Sequence, residues 1–199
     1  MSKEILIDAV GINRGGGKIL LDYFIRNVEL ESLDIVYLLD RRILNNHPGI
    51  EKNKVIYINH NFFERFIFYI RNKKEFVKIL CLANFPPPVK CNSKVYTFFQ
   101  NVAIFDKVIY SGIKSILIRL MLMKHKKYTD HWIVQTNSVR DLLVYKFNPQ
   151  DKIFVYPFYF FEKNFIAVEE KIKKSKKILY VSDGDPHKNH KKLLRTYGN

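Results

Sequence analysis

The stretch that decides the fold reads "EILIDAVGINRGGGKILLDYFIRNVE" (residues 4–29). Residues 4–10 form a compact apolar run, the kind that is buried on both faces of a parallel sheet. A glycine-rich loop, "GINRGGG", follows it. From residue 18 to residue 29, Ile19, Leu20, Tyr23, Phe24 and Val28 fall at helical spacing. Strand, glycine loop and helix make the opening unit of an α/β chain. Glycines at such a junction let the backbone approach a ligand, and the helix end offers N–H groups and partial positive charge. "NRGGGK" (residues 13–18) therefore reads either as a tight turn or as a phosphate or sugar site, with Arg14 and Lys18 adding full charges. Its spacing is neither G-x-G-x-x-G nor a P-loop.

The pattern continues along the chain. Strand-like runs occupy residues 34–40, 54–58, 76–83, 94–101, 131–136 and 152–158. Helical spacing covers 61–75, with Asn61 as N-cap, then 108–127, then "NSVRDLLVYKF" (137–147) capped by Asn137 or Ser138. In "NFPPPVKCN" (84–92), Pro86, Pro87 and Pro88 exclude a helix. Alternating strands and helices predict an α/β fold: a Rossmann-like parallel sheet with helices on both faces. The expected organisation is one domain over residues 1–160, a charged linker over 161–176, and the start of a second α/β unit over 177–199. A lone parallel strand near residues 177–181 needs neighbours and cover. The expectation for 178–199 is poor packing, or packing borrowed from the first domain.

With 47% apolar and 15% aromatic residues, this is a folding chain. The 34 basic residues against 19 acidic ones leave +15, which favours anionic partners. Cys81 and Cys91 flank the proline turn. With no secretion signal in "MSKEILIDAV", they read as buried thiols rather than a disulfide. No apolar stretch reaches the roughly 20 residues needed to cross a bilayer. The longest candidate, 108–123, is interrupted by Lys114 and Arg119. The reading is a cytoplasmic protein, peripheral on the inner face of the membrane.

That candidate lies in "KVIYSGIKSILIRLMLMKHKKY" (residues 107–128), which holds no acidic residue. Ile109, Ile113, Ile116, Leu117 and Leu120 share one helical face, and Lys107, Lys114, Arg119, Lys124, Lys126 and Lys127 supply charge. Such a helix either lies on an anionic membrane surface or covers the sheet with a solvated basic edge.

Other chemistry finds little support. His187 and His190 lack a third metal ligand nearby in sequence, and no metal is expected. The Asp183-Gly184-Asp185 triplet is short and common. No Ser-His-Asp or Cys-His spacing stands out. Phe62, Phe63, Phe66, Phe68 and Tyr69 sit where a helix would bury them rather than interleaving with cations, so no nucleic-acid partner is expected.

Four segments, taken in order, resemble the retaining GT-B glycosyltransferases of family 4, particularly the bacterial enzymes of lipopolysaccharide O-antigen or capsule synthesis. They are "GGGKILLDYF", "CLANFPPP" with "KVYTFFQN", "WIVQTNSVRDLL", and "ILYVSDGDPHKNHKKLL". The resemblance implies an N-terminal, acceptor-side Rossmann-like domain and a donor-binding C-terminal domain. It implies transfer of a sugar from a nucleotide-sugar donor to a lipid-linked oligosaccharide, with retention and without a cofactor. It places Gly15, Gly16 and Gly17 near the donor diphosphate, and Lys188 and Asn189 in the family's His-Lys-Asn segment. Lys18 joins the glycines as a chemical guess. At the strand end where many members carry a histidine near the reacting sugar, this chain has Gln100 and Asn101, so Asn101 is left to bond a sugar hydroxyl. Gln135 and Thr136 are expected at the cleft, because ligands in such sheets sit at the carboxyl ends of strands. No glutamate follows Val181, so the donor-gripping Glu-x7-Glu motif is missing from the second unit. The resemblance thus implies a chain without turnover on its own, and a non-catalytic module binding membranes or lipid diphosphates is the alternative.

Overall fold

Runs of consecutive apolar residues set the centre of the molecule. β2 (Ile35–Asp40) is buried at all six positions, and β1 (Ile5–Asp8) is nearly so. Strands of this kind require cover on both faces. The computed structural model describes residues 4–47, 49–106, 112–148 and 152–157. The chain divides into two compact units, Met1–Phe158 and Tyr159–Asn199. The readings made on 161–176, on 177–199, and on Lys107, Ile109, His187, Lys188, Asn189 and His190 lie outside the described residues.

The remaining elements are α1 (Gly15–Val28), β3 (Lys54–Ile58), α2 (Phe62–Asn72), β4 (Lys78–Cys81), β5 (Lys94–Phe98), α3 (Ile113–His125), β6 (His131–Val134), α4 (Asn137–Phe147) and β7 (Lys152–Val155). Among the described residues seven strands form one sheet in the order β3-β2-β1-β4-β5-β6-β7. Every pairing is parallel. The fold is α/β and Rossmann-like, as expected.

Side-chain parity assigns the helices to faces. Ile7, Ile35, Tyr37 and Leu39 point to one side and pack with Leu21 and Ile25 of α1. Leu6, Val36, Leu38 and Ile79 point to the other and pack with Phe68 and Tyr69 of α2. Ile133 is in register with Phe98, which lies on the α1 side. Trp132 and Val134 therefore face the α2 side, where they pack with Leu122 of α3 and with Leu143 and Phe147 of α4. Among the described residues one helix covers one face and three cover the other.

The chain ends of these helices follow the sequence in some places and correct it in others. Asn61 caps α2 as expected, its Oδ1 accepting from the Glu64 amide at 2.8 Å, while Glu64 reaches back to the Asn59 amide at 2.8 Å. α4 is capped by Thr136, whose hydroxyl accepts from the Val139 amide at 3.3 Å; neither Asn137 nor Ser138 is the cap. α1 begins at Gly15, so the three glycines are its first turn rather than a loop before it.

The crossover from Cys81 to Lys94 makes its parallel return without a helix. Pro86, Pro87 and Pro88 are buried, and carbonyls there must find donors from elsewhere. Arg65 of α2 supplies them, bonding the Phe85 oxygen at 2.9 Å and the Pro86 oxygen at 3.0 Å. Both cysteines are free thiols. Burial and the nearby Asp8 carboxylate push Cys81 up to about 12, and burial pushes Cys91 up to about 11.

Candidate functional site

The strand order reverses between β1 and β4, and in open α/β sheets that point forms a crevice at the carboxyl ends of the strands. The turn after β1 is built by two buried carboxylates. Asp8 Oδ1 accepts from the Val10 amide at 3.1 Å, and Asp40 Oδ2 accepts from the Gly11 amide at 3.1 Å. Gly11 has φ 101°, and a Cβ there would stand 2.8 and 2.9 Å from the His60 ring. The positive φ requires glycine there, and a Cβ would also have to displace the exposed His60 ring. Burial would raise the Asp40 carboxyl, but bonds and charge from Arg42 and the Gly11 amide outweigh it and hold Asp40 below its ordinary value.

From this turn α1 starts toward the crevice. Its N-cap, Arg14, makes no side-chain capping bond, and the first turn carries no acidic residue. Gly15 and Gly16 are exposed, and nothing lies within 4 Å of a Cβ placed on Gly16. The first-turn amides are therefore accessible at the positive end of the helix. Lys18 does not join them. It is buried, and its ammonium grips Asp22 at 2.6 and 2.7 Å one turn along α1.

The other expected residues meet at the same edge of the sheet. Asn84, with φ 69°, uses one side-chain oxygen to accept from the amides of Gln100 and Asn101, at 2.8 and 2.9 Å. This fixes the chain after β5. A Cβ on Gly17 would lie 3.7 Å from the Gln100 side-chain Nε2, so the glycine turn and the Gln100 side chain at the end of β5 are neighbours. Gln135 and Thr136 follow β6 along this edge, with Thr136 committed to capping α4.

Beside the crevice, α2 and α3 flank a half-open cavity of about 210 Å³. Beneath it lies a buried cluster that sequence reading missed. Arg65 donates to Asp8 Oδ2 at 2.8 Å, and the Tyr69 hydroxyl donates to the same oxygen at 2.7 Å. The Asp8 side chain is 1% exposed and that of Arg65 15%. Burial and the Asp8 charge raise the Tyr69 hydroxyl well above its ordinary value, so it is a donor at every physiological pH. A signal was present: Asp8 and Asp40 each close an apolar strand run. The Asp8 partner, by contrast, lies 57 positions away, and no local pattern indicates it.

His60 and His125 both line the cavity. Phe62 stacks on His125 at 6.2 Å between ring centres, joining the start of α2 to the end of α3. Desolvation, then the Arg65, Lys124 and Lys127 charges, lower His125. His60 keeps an exposed edge and is lowered by partial desolvation and by Arg42, Arg65 and Lys114, against Asp40. The unfolded chain thus binds more protons than the folded one just below pH 6.5. The stability this contributes is full above that pH and is lost as pH falls toward the folded values. Melting temperature should drop between pH 7 and pH 5, and His125→Asn should flatten that drop; an unchanged slope in the variant would remove His125 as a cause.

α3 turns its expected apolar stripe outward. Ile113 is 79% exposed, Ile116 50%, Leu117 54% and Leu120 60%, while Ser115, Leu122 and His125 face inward. The stripe therefore does not cover the sheet. Lys114, Lys124 and Lys127 are exposed beside it. Arg119 and Lys126 are half-buried, donating to the Ile104 oxygen at 3.3 Å and the Phe147 oxygen at 3.0 Å. No helix among the described residues is long and apolar enough to cross a membrane.

The class defined by these features is a Rossmann-like α/β domain with an anion-competent helix end at its topological switch point. Compared with known proteins, the chain matches no family model and no curated sequence.

Proposed function

We propose that residues 4–157 form the acceptor-side lobe of a retaining sugar transferase of GT-B architecture, working at an anionic membrane face. The donor would be a nucleotide sugar and the acceptor a lipid-linked oligosaccharide. One observation carries the reading: an uncapped helix start of three glycines, free of acidic residues, sits where the strand order reverses. Sugar transfer from a nucleotide leaves a diphosphate. Amides and positive helix ends that oppose the charge developing on it are the main protein contribution to such a step. The four ordered sequence segments support the same class. A second reading, a lipid-diphosphate-binding module that catalyses nothing, is favoured by the outward apolar stripe of α3, which serves membrane docking with or without turnover.

The test is inorganic pyrophosphate binding to the full chain, which needs no nucleotide-gripping motif, followed by calorimetry, with Gly16→Asp as the probe variant. A side chain at Gly16 meets open space. An acidic residue in a first helical turn stabilises the helix by about 0.3–1 kcal/mol, and replacing glycine adds to this. The variant should melt no lower than the parent yet bind the diphosphate about tenfold more weakly. Absence of diphosphate binding by the parent at millimolar concentration, or equal binding by the variant, would defeat the reading.

A further inference from the structure

The two faces of the sheet are covered unequally. On the α2 side, α3 and α4 pack over Trp132 and Val134. On the α1 side, the core built on Leu21 and Ile25 reaches to Phe98 and Ile133. Phe154 is in register with Ile133, and His131 with both Tyr96 and Lys152. Alternation therefore puts Tyr96, His131, Phe154 and Tyr156 on this side too. Their rings form a ladder across three strands. Ring centres lie 5.2 Å apart from Tyr96 to His131, 5.2 Å from His131 to Phe154, and 6.0 Å from Phe154 to Tyr156. The first three rings are half-buried and Tyr156 is 57% exposed. A parallel sheet is ordinarily covered on both faces. Among the described residues, no helix side chain joins Tyr96, Phe154 or Tyr156 in a packed core. At the centre of the ladder, His131 Nδ1 is buried without a hydrogen-bond partner, which marks the face as unfinished.

The charges around the ladder have one sign. Lys78 and Lys94 face each other in register, and with Lys152 they are exposed on the same side as the rings. No acidic residue occupies that side of β4 to β7 among the described residues. A second copy of this chain would set lysine against lysine, so like charge disfavours it and an acidic partner is preferred. A single-stranded nucleic acid needs free ring faces for its bases. Here both faces of the His131 ring are taken, by Tyr96 at 26° and Phe154 at 43° between planes. Ring edges are left to pack, and the side-chain ridge of a helix suits them. Strands of four or five residues are about 13–17 Å long, which is about ten residues of helix.

We infer that this face docks a short acidic amphipathic helix of a partner protein, with its apolar ridge on the ring ladder and its carboxylates on Lys78, Lys94 and Lys152. The inference is independent of the sugar-transfer reading and uses none of the residues at the helix start of α1.

The probe is a synthetic peptide of about 14 residues, with leucine at positions i, i+3, i+4 and i+7 and glutamate and alanine elsewhere, titrated into the full chain. Its controls are a scrambled peptide of the same composition, a version with lysine for glutamate, and oligouridine of about ten nucleotides. The acidic amphipathic peptide should bind at least tenfold more tightly than any control. The ring-proton resonances of His131 should move on titration, before those of His60 and His125. Lys94→Glu/Lys152→Glu should weaken binding at least tenfold. Lys124→Glu/Lys146→Glu makes the same change of charge on α3 and α4, across the sheet, and should alter it less than twofold. The resonance measurement needs no variant, so it decides the matter even where a charge reversal fails to fold. Equal binding of the scrambled peptide, unmoved His131 resonances, or equal losses in the two double variants would overturn the inference. Tighter binding of oligouridine would overturn it in favour of a nucleic-acid surface.

Discussion

Arg65→Ala is expected to cost about 3–5 kcal/mol of folding stability, the usual penalty when one partner of a buried ion pair is removed. The loss has three parts. Asp8, 1% exposed, would keep the Val10 amide and the Tyr69 hydroxyl but lose the guanidinium that bonds it at 2.8 Å. The carbonyls of Phe85 and Pro86 would lose the guanidinium that ties the helix-free crossover to α2. A cavity would also open beneath the His60–His125 site. Arg65→Lys should rescue little, because a single ammonium cannot reach a carboxylate and two carbonyls in a planar fork. Urea denaturation gives the number. The double variant Asp8→Asn/Arg65→Met, which removes both charges, should be less destabilised than the sum of its single changes. A cost under about 1 kcal/mol for Arg65→Ala would show that the pair does not hold α2 to the sheet.

The second large effect concerns the membrane. Lys114→Glu/Lys124→Glu/Lys127→Glu should reduce binding to anionic vesicles by about 100-fold or more. Each basic residue near such a surface contributes about 1 kcal/mol, and about 1.4 kcal/mol is tenfold in affinity. Three lost charges already reach about that figure, and reversal adds repulsion. Lys126 is left in place because its ammonium bonds the Phe147 oxygen at the end of α4; changing it would confound docking with folding. Added salt should weaken binding of the parent. Leu117→Ser/Leu120→Ser should weaken the part that resists salt, since both side chains are more than half exposed. Equal co-sedimentation of parent and triple variant with anionic vesicles would remove α3 from membrane docking.

These expectations show where the sequence was legible. β3 occupies Lys54–Ile58, the span its β-branched run delimits, and Asn61 caps α2 through the Asn61–Glu64 spacing. Both are local patterns, written within a few residues. The glycines were misplaced because glycine is a poor helix former, yet a first helical turn tolerates it where the amides have no helical partner in any case. Thr136 was read by its place at a strand end, and it does lie there, but its hydroxyl is spent on α4. Periodicity grouped Ile113, Ile116, Leu117 and Leu120 correctly on one face. It carried no sign of direction, and only packing of Leu122 against Trp132 and Phe147 shows that the stripe looks outward. The cavity was illegible for a stronger reason. Its histidines come from the approach to α2 and the end of α3, and only the assembled sheet brings those together.

The all-parallel topology has a consequence for how the chain is made. β1 is central, and one of its edges is filled by β2 while the other waits for β4, where Ile5 meets Lys78. A ribosome adding about 5–20 residues each second needs roughly 4–15 s to deliver that partner. Throughout that interval an apolar strand stands with an open side. Early protection of nascent β1, rather than the final energy balance, should therefore govern how much of this fold is recovered intact.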